Sequence, residues 1–144
     1  MTLVYLDTSA FANRYLRAPI SEQIDGLLDE PAYRFAMSEL CLVEFESALS
    51  RQHRERRITT RRLNELRRRF EGDLQLDFFA LHPLSRPILV GARQLIADGL
   101  APLATLDSIH LKTALEIRAE AFATEDRQLA RAAAKHGLKV ITFS

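Results

Sequence analysis

The chain has one cysteine, Cys41, in 144 residues, so no disulfide can close within it and no cysteine-based zinc or redox motif exists. This points to a reducing, intracellular setting. Long apolar runs are also missing. The stretch Leu3 to Leu6 stops at Asp7, too soon for the hydrophobic region of a signal peptide, and no segment approaches the roughly 20 apolar residues of a spanning helix. The expected location is the cytoplasm, without a membrane partner. Repeats, linkers and low-complexity tracts are lacking, and the formal net charge of +1 identifies no partner. With 47% hydrophobic and 27% charged residues, the composition is that of a globular protein, and the length suits one domain, residues 1–144.

Apolar runs that read as strands alternate with segments of helical spacing. Leu3 to Leu6 predicts a strand, Asp7 to Ser9 a helix start leading into Ala10 to Leu16, and Ile20 to Leu28 a helix ended by Pro31. Tyr33 to Met37 predicts a second strand, after which Ser38 caps a helix running from Glu39 to about Arg54. Thr59 opens another helix, with Leu63, Leu66, Phe70 and Leu74 on one side, and the two helices predict an antiparallel arm. Asp77 to Leu84 reads as extended, Ser85 opens a helix closed by Gly99, and the Thr105–Asp107 segment precedes the next. Ala121 to Thr124 predicts a strand, Asp126 starts a helix closed by Gly137, and Lys139 to Phe143 predicts the last strand. This alternation implies an α/β fold of three layers, a mainly parallel central sheet with helices on both faces and a protruding helical arm.

Four acids stand beside apolar residues, where an uncompensated charge is costly. Asp7 ends the first strand, Asp107 lies at a helix start, and Asp126 follows the Ala121 to Thr124 strand. Glu44 shares the apolar face of its helix with Cys41, Phe45 and Ala48, whereas Glu39, Glu46, Ser50 and His53 mark the expected solvated side. An aspartate at a helix start is often only a cap, but a glutamate in a helix interior has no such reason to be there. Ligands of open α/β sheets collect beyond the carboxyl ends of the strands. Hard oxygen donors gathered there suit Mg²⁺ or Mn²⁺, one or two ions, and such sites commonly hydrolyse phosphodiesters.

From Arg51 to Arg69 there are nine arginines against Glu55 and Glu65. A charge run is usually a solvated helix face, yet this one repels itself unless a polyanion or acidic partner is near. Arg51, Arg54, Arg57, Arg61 and Arg68 are the candidates for RNA phosphate contact. His110 is read as structural or as supporting the site from behind, and His53, His82 and His136 as exposed.

The segments Leu6-Asp7-Thr8-Ser9-Ala10, Glu44 within its helix, Leu106 to Ala114 and Thr124 to Leu129 resemble, in order, the motifs of PIN-domain ribonucleases. The chain is most similar to the VapC toxins of bacterial and archaeal toxin–antitoxin systems, over essentially its whole length. The resemblance implies Asp7, Glu44, Asp107 and Asp126 as a catalytic and metal-binding quartet, with Thr8, Ser9 and Thr124 as supporting hydroxyls. The Thr-x-Asp pattern favours Asp126 over Glu125. It further implies a homodimer and a cognate VapB-type antitoxin, which is the second reading of the arginine-rich arm. Glu44 is left with two roles, binding metal or orienting water.

Two other phosphate chemistries fit less well. A phosphotransferase of the haloacid dehalogenase kind needs a second aspartate where this chain has Ser9, and a receiver domain needs paired early acids and a late lysine. The expected function is a Mg²⁺-dependent endoribonuclease toxin acting on RNA; the alternative is a catalytically inactive PIN-like RNA-binding or regulatory module.

Overall fold

The computed structural model describes residues 1–143. Five strands form one sheet: β1 (Thr2–Leu6), β2 (Tyr33–Ser38), β3 (Ala80–His82), β4 (Ala121–Ala123) and β5 (Lys139–Ile141), in the order β3-β2-β1-β4-β5. Every neighbouring pair is parallel. Parallel neighbours require crossover connections, and these carry α1 (Thr8–Phe11), α2 (Ser21–Leu28), α3 (Leu40–Arg54), α4 (Thr60–Gln75), α5 (Arg86–Asp98), α6 (Thr105–Glu116) and α7 (Arg127–Lys135).

Side chains of β1 alternate between two apolar layers, as the pleat requires. Val4 and Leu6 join Phe11, Phe45, Leu66 and Phe70 on the side of α1 to α4, while Tyr5 joins Leu111, Phe122 and Leu129 on the side of α5 to α7. Both faces of the sheet are therefore covered, and β1 reads as a continuous apolar run.

Several boundaries differ from the sequence reading. The helix expected over Ala10 to Leu16 is only α1 followed by a 3-10 turn, Ala12–Arg14. The Asn13 amide takes the Ser9 carbonyl at 2.8 Å, the acceptor that a continuing α-helix would use. Ser38 stays in β2, and α3 starts at Leu40, whose amide donates to Ser38 Oγ at 3.0 Å. The extended stretch Asp77 to Leu84 contracts to β3, and the last strand stops at Ile141. Asp107 lies inside the first turn of α6 rather than before it. Gly99 closes α5 as expected, at φ 64°, in the left-handed region that glycine enters freely.

Helices α3 and α4 pack together, with the Phe45 and Phe70 rings 4.7 Å apart and inside the main core, while residues 54–57 at their connection are exposed. The expected solvated side of α3 is met at Glu39, which is exposed, and only partly at Glu46, whose side chain is 46% exposed but paired. Glu46 is clamped by Arg67 of α4 at 2.7 and 2.8 Å, and His53 reaches Thr60 at 3.0 Å, so this side faces its partner helix. Val43 is the outward residue, 70% exposed. His82 and His136 are also half-buried rather than exposed.

Candidate active site

Strand order reverses between β1 and β4, because the chain builds β1, β2 and β3 outward on one side and then crosses to the other. A crevice beyond the strand ends is expected there. Asp7 follows β1 and Thr124 follows β4, and the Asp7 amide donates to the Ala123 carbonyl at 3.2 Å.

Asp7 is 4% exposed and caps α1. Its Oδ1 accepts from the Ser9 hydroxyl at 2.8 Å and the Ala10 amide at 2.9 Å, and its Oδ2 from the Thr124 hydroxyl at 2.6 Å. Burial nevertheless dominates and raises its pKa, against the opposing pull of Thr124, His110, Ser9 and Ala10. Asp126 caps α7 with Oδ1, which accepts from the Gln128 and Leu129 amides at 2.8 and 3.0 Å. Its other oxygen accepts no hydrogen bond among the described residues.

Asp107 is half-buried and accepts no hydrogen bond at all among the described residues. Its carboxyl is pushed up to about 6, first by burial and then by the charges of Asp126 and Asp7, with a smaller push from Glu44 and only His110 opposing. Three acids therefore act on the fourth through space. Glu44 projects from α3 and accepts from Thr8 Oγ1 at 2.6 Å, and its Oε1 also pairs with His110 Nε2 at 2.6 Å. Burial raises its pKa, but the hydrogen bonds from His110 and the Thr8 hydroxyl, together with the charge His110 carries when protonated, outweigh burial and leave it lowered. All four acids predicted from sequence thus converge, as do Thr8, Ser9 and Thr124.

Among the described residues, no three His, Cys, Asp or Glu side chains are arranged to enclose an ion by themselves. The donor set still fits a hard cation. It is all carboxylate oxygen, it includes an acid without a donor, and Mg²⁺ takes only one or two carboxylates directly while keeping several waters. Were such an ion bound, Asp7, Asp107 and Asp126 are the residues that would hold it, with Glu44 beside them.

An open cleft of about 500 Å³ adjoins the acids, lined by Thr8, Ser9, Glu44, Arg17, Arg51 and Glu125 among others. Of the five arginines proposed to meet RNA, Arg51 lines this cleft, and Arg57 lines an adjoining hollow with Arg17 and Arg62. Arg54, Arg61 and Arg68 line neither. Glu125 accepts from Asn13 at 3.0 Å and faces the cleft, one position away from the capping Asp126.

Sequence reasoning missed Tyr5, Asn13 and Arg17. Tyr5 Oη lies 2.6 Å from His110 Nδ1 and accepts from the Ser38 amide at 3.2 Å. A tyrosine at the centre of an apolar strand was the available signal, since a buried phenol requires a partner.

The PIN domain family model matches residues 4–135. No curated protein sequence matches the chain. Solved structures share its fold at low identity. FitAcB from Neisseria gonorrhoeae is 19% identical with a TM-score of 0.73, covering 96% of each chain. VapC20 of Mycobacterium tuberculosis, a sarcin-ricin loop cleaving toxin, is 14% identical with a TM-score of 0.68, covering 90% of this chain and 94% of its own. A toxin–antitoxin complex from Klebsiella pneumoniae is 20% identical with a TM-score of 0.61, covering 96% of each chain. With its all-parallel sheet and a family match over nearly its full length, the chain belongs to the PIN domain family and has the fold of VapC-like toxins.

Proposed function

We propose that this single-domain chain is a Mg²⁺- or Mn²⁺-dependent endoribonuclease toxin, working in the cytoplasm as a homodimer and restrained by a cognate VapB-type antitoxin. The observation that carries the reading is Asp107, a half-buried carboxylate that meets no hydrogen-bond donor among the described residues and is charged against three other acids. Such a group is costly without a cation. The sarcin-ricin loop cleavage of one structural neighbour supports RNA as substrate, and the toxin–antitoxin complex of another supports the protein partner.

When bound, the ion supplies activation of water and neutralisation of charge at the attacked phosphate. The chain's own residues set the geometry. Thr124, Ser9 and the Ala10 amide fix both oxygens of Asp7, the α7 amides fix one oxygen of Asp126, and Thr8 and His110 fix Glu44. Arg51 lines the cleft alongside Glu44, where a guanidinium meets a phosphate backbone. Along α4, Arg61 and Arg62 pair with Glu65, Arg67 pairs with Glu46 and Arg69 lies over Tyr15, which leaves the exposed Arg68 to serve the antitoxin.

The test is incubation of the purified protein with structured RNA, with Mg²⁺ or Mn²⁺ or with chelator, beside an Asp7→Asn variant. Cleavage is expected only with metal and is expected to fall by about 10²-fold or more in the variant. Equal cleavage by the variant, or none by the wild type under any divalent ion, defeats the reading in favour of a non-catalytic module.

A further inference from the structure

We propose that Tyr5 and His110 are positioning residues for Glu44, joined to the Ser38 amide in one buried chain that decides which glutamate oxygen remains free at the site. The inference rests on the nuclease reading and assigns work to residues that the acidic quartet does not include.

The direction of each hydrogen bond follows from its donors. The Ser38 N–H donates to Tyr5 Oη at 3.2 Å, so the phenol proton is left to point elsewhere. Its neighbour is His110 Nδ1 at 2.6 Å, which must then be the bare, accepting nitrogen. His110 therefore carries its proton on Nε2 and donates it to Glu44 Oε1 at 2.6 Å. With the opposite tautomer, Tyr5 Oη would face two donors and its own proton would have no acceptor. Thr8 adds a second donor to the same Oε1 at 2.6 Å. Glu44 Oε1 is doubly occupied, and Oε2 is the oxygen left for water or a cation.

The chain is rigid. Tyr5 and Ser38 are 0% exposed and His110 is 2% exposed. Tyr5 stacks on Phe122 with ring centroids 5.2 Å apart and meets the His110 ring edge-on at 5.8 Å. The chain also runs through the elements that carry the acids. Tyr5 stands on β1 two positions before Asp7, which directly follows that strand, and His110 three positions after Asp107 on the same helix. A shift of Glu44 relative to those aspartates would have to break the chain. An apolar core needs none of this: phenylalanine at position 5 would fill the same volume, whereas the tyrosine obliges a buried amide, a phenol and an imidazole to satisfy one another.

Nitrogen NMR of the imidazoles in metal-free protein reads the tautomer directly, and the Nε2–H form is expected for His110. Three variants then separate positioning from packing: Tyr5→Phe, His110→Gln, which keeps an N–H donor near the Nε2 position, and His110→Leu, which does not. Each is melted to show that it folds, titrated with Mn²⁺ by electron paramagnetic resonance, and assayed on RNA for kcat and KM. Outer hydrogen-bond partners of metal ligands are typically worth 10–100-fold. Tyr5→Phe is expected to mix the tautomers and lower kcat about tenfold with KM within about twofold. His110→Gln is expected to stay within about threefold of wild type in Mn²⁺ affinity and kcat, and His110→Leu to lose about 30-fold or more in one of them. An Nδ1–H tautomer in the wild type, unchanged kcat in folded Tyr5→Phe, or equal behaviour of the two His110 variants overturns the proposal. Should wild type cleave no RNA, the nuclease reading fails, while tautomer and Mn²⁺ affinity still judge the positioning chain.

Discussion

Thr124 Oγ1 stands 2.6 Å from Asp7 Oδ2, joining residues 117 positions apart, and the same oxygen accepts the Asp126 amide at 3.0 Å. One buried hydroxyl thus serves two acids. Thr124→Val keeps the shape and strips both bonds, which leaves Asp7 Oδ2 and the Asp126 N–H unsatisfied. A loss of about 2–3 kcal/mol in urea unfolding is expected, with Thr124→Ser recovering most of it. Equal stability of Thr124→Val and wild type would contradict this account.

Asp107 is raised from the ordinary 3.8 to about 6 by burial and neighbouring acids, so between those values the folded chain holds a proton that the unfolded chain has released. Its contribution to stability is in place below pH 3.8 and is lost as pH rises through about 6. After allowance for partial exposure, the cost at neutral pH is about 1–2 kcal/mol. Metal-free Asp107→Asn should therefore melt about 3–8 °C higher at pH 7.5, with a flatter pH dependence, while losing activity. Scanning calorimetry from pH 4 to pH 8 checks both.

Divalent ions should raise the melting temperature of the wild type and not that of Asp107→Asn, because the ion binds only the folded chain. At 100 times its Kd an ion adds about 2.7 kcal/mol, enough for a clear shift. An identical Mn²⁺ shift in both proteins would remove Asp107 from the ion site.

Asp73 carries the opposite sign. Burial would raise it, but Arg14 at 3.0 Å and Tyr15 at 2.6 Å on the same oxygen pull it below the usual carboxylate range. The unfolded chain binds this proton first, so the stabilisation is present at neutral pH and is lost as pH falls. Asp73→Asn should cost about 1–2 kcal/mol at pH 7, and the gap to wild type should narrow as pH falls below the ordinary 3.8.

Arg51 and Arg61 test the arm. Arg51 lines the cleft, whereas the Arg61 side chain is 90% exposed and leans on Glu65 at 3.4 Å. Arg51→Ala should weaken RNA binding about threefold to tenfold and reduce the salt slope by about one, while Arg61→Ala stays within about twofold. Fluorescence titration across salt concentrations distinguishes them.

The residues that could be read from sequence were those whose own neighbours betray them. Glu44 was legible because helical phase set it among Cys41, Phe45 and Ala48, and Asp7 because it ends an apolar strand. Glu46 was legible only in part, as an outward acid whose partner could not be seen. Its exposure depended on α4, and nothing near it in sequence says that Arg67 lies opposite. The shortness of α1 turned on one amide, that of Asn13, and local helical spacing does not register such a bond. Tyr5 and His110 were individually ordinary, since their meaning is a contact across 105 positions that no local pattern encodes.

The crossover from β3 to β4 has a temporal consequence. Asp7 is synthesised 119 residues before Asp126, and β4 must slot beside β1 before Thr124 can reach Asp7. At roughly 5–20 residues per second, synthesis separates the two ends of the site by on the order of ten seconds. Until β4 and the turn after it have been made, Asp7 lacks Thr124 and the site lacks Asp126, so no fragment ending before β4 brings the four acids together.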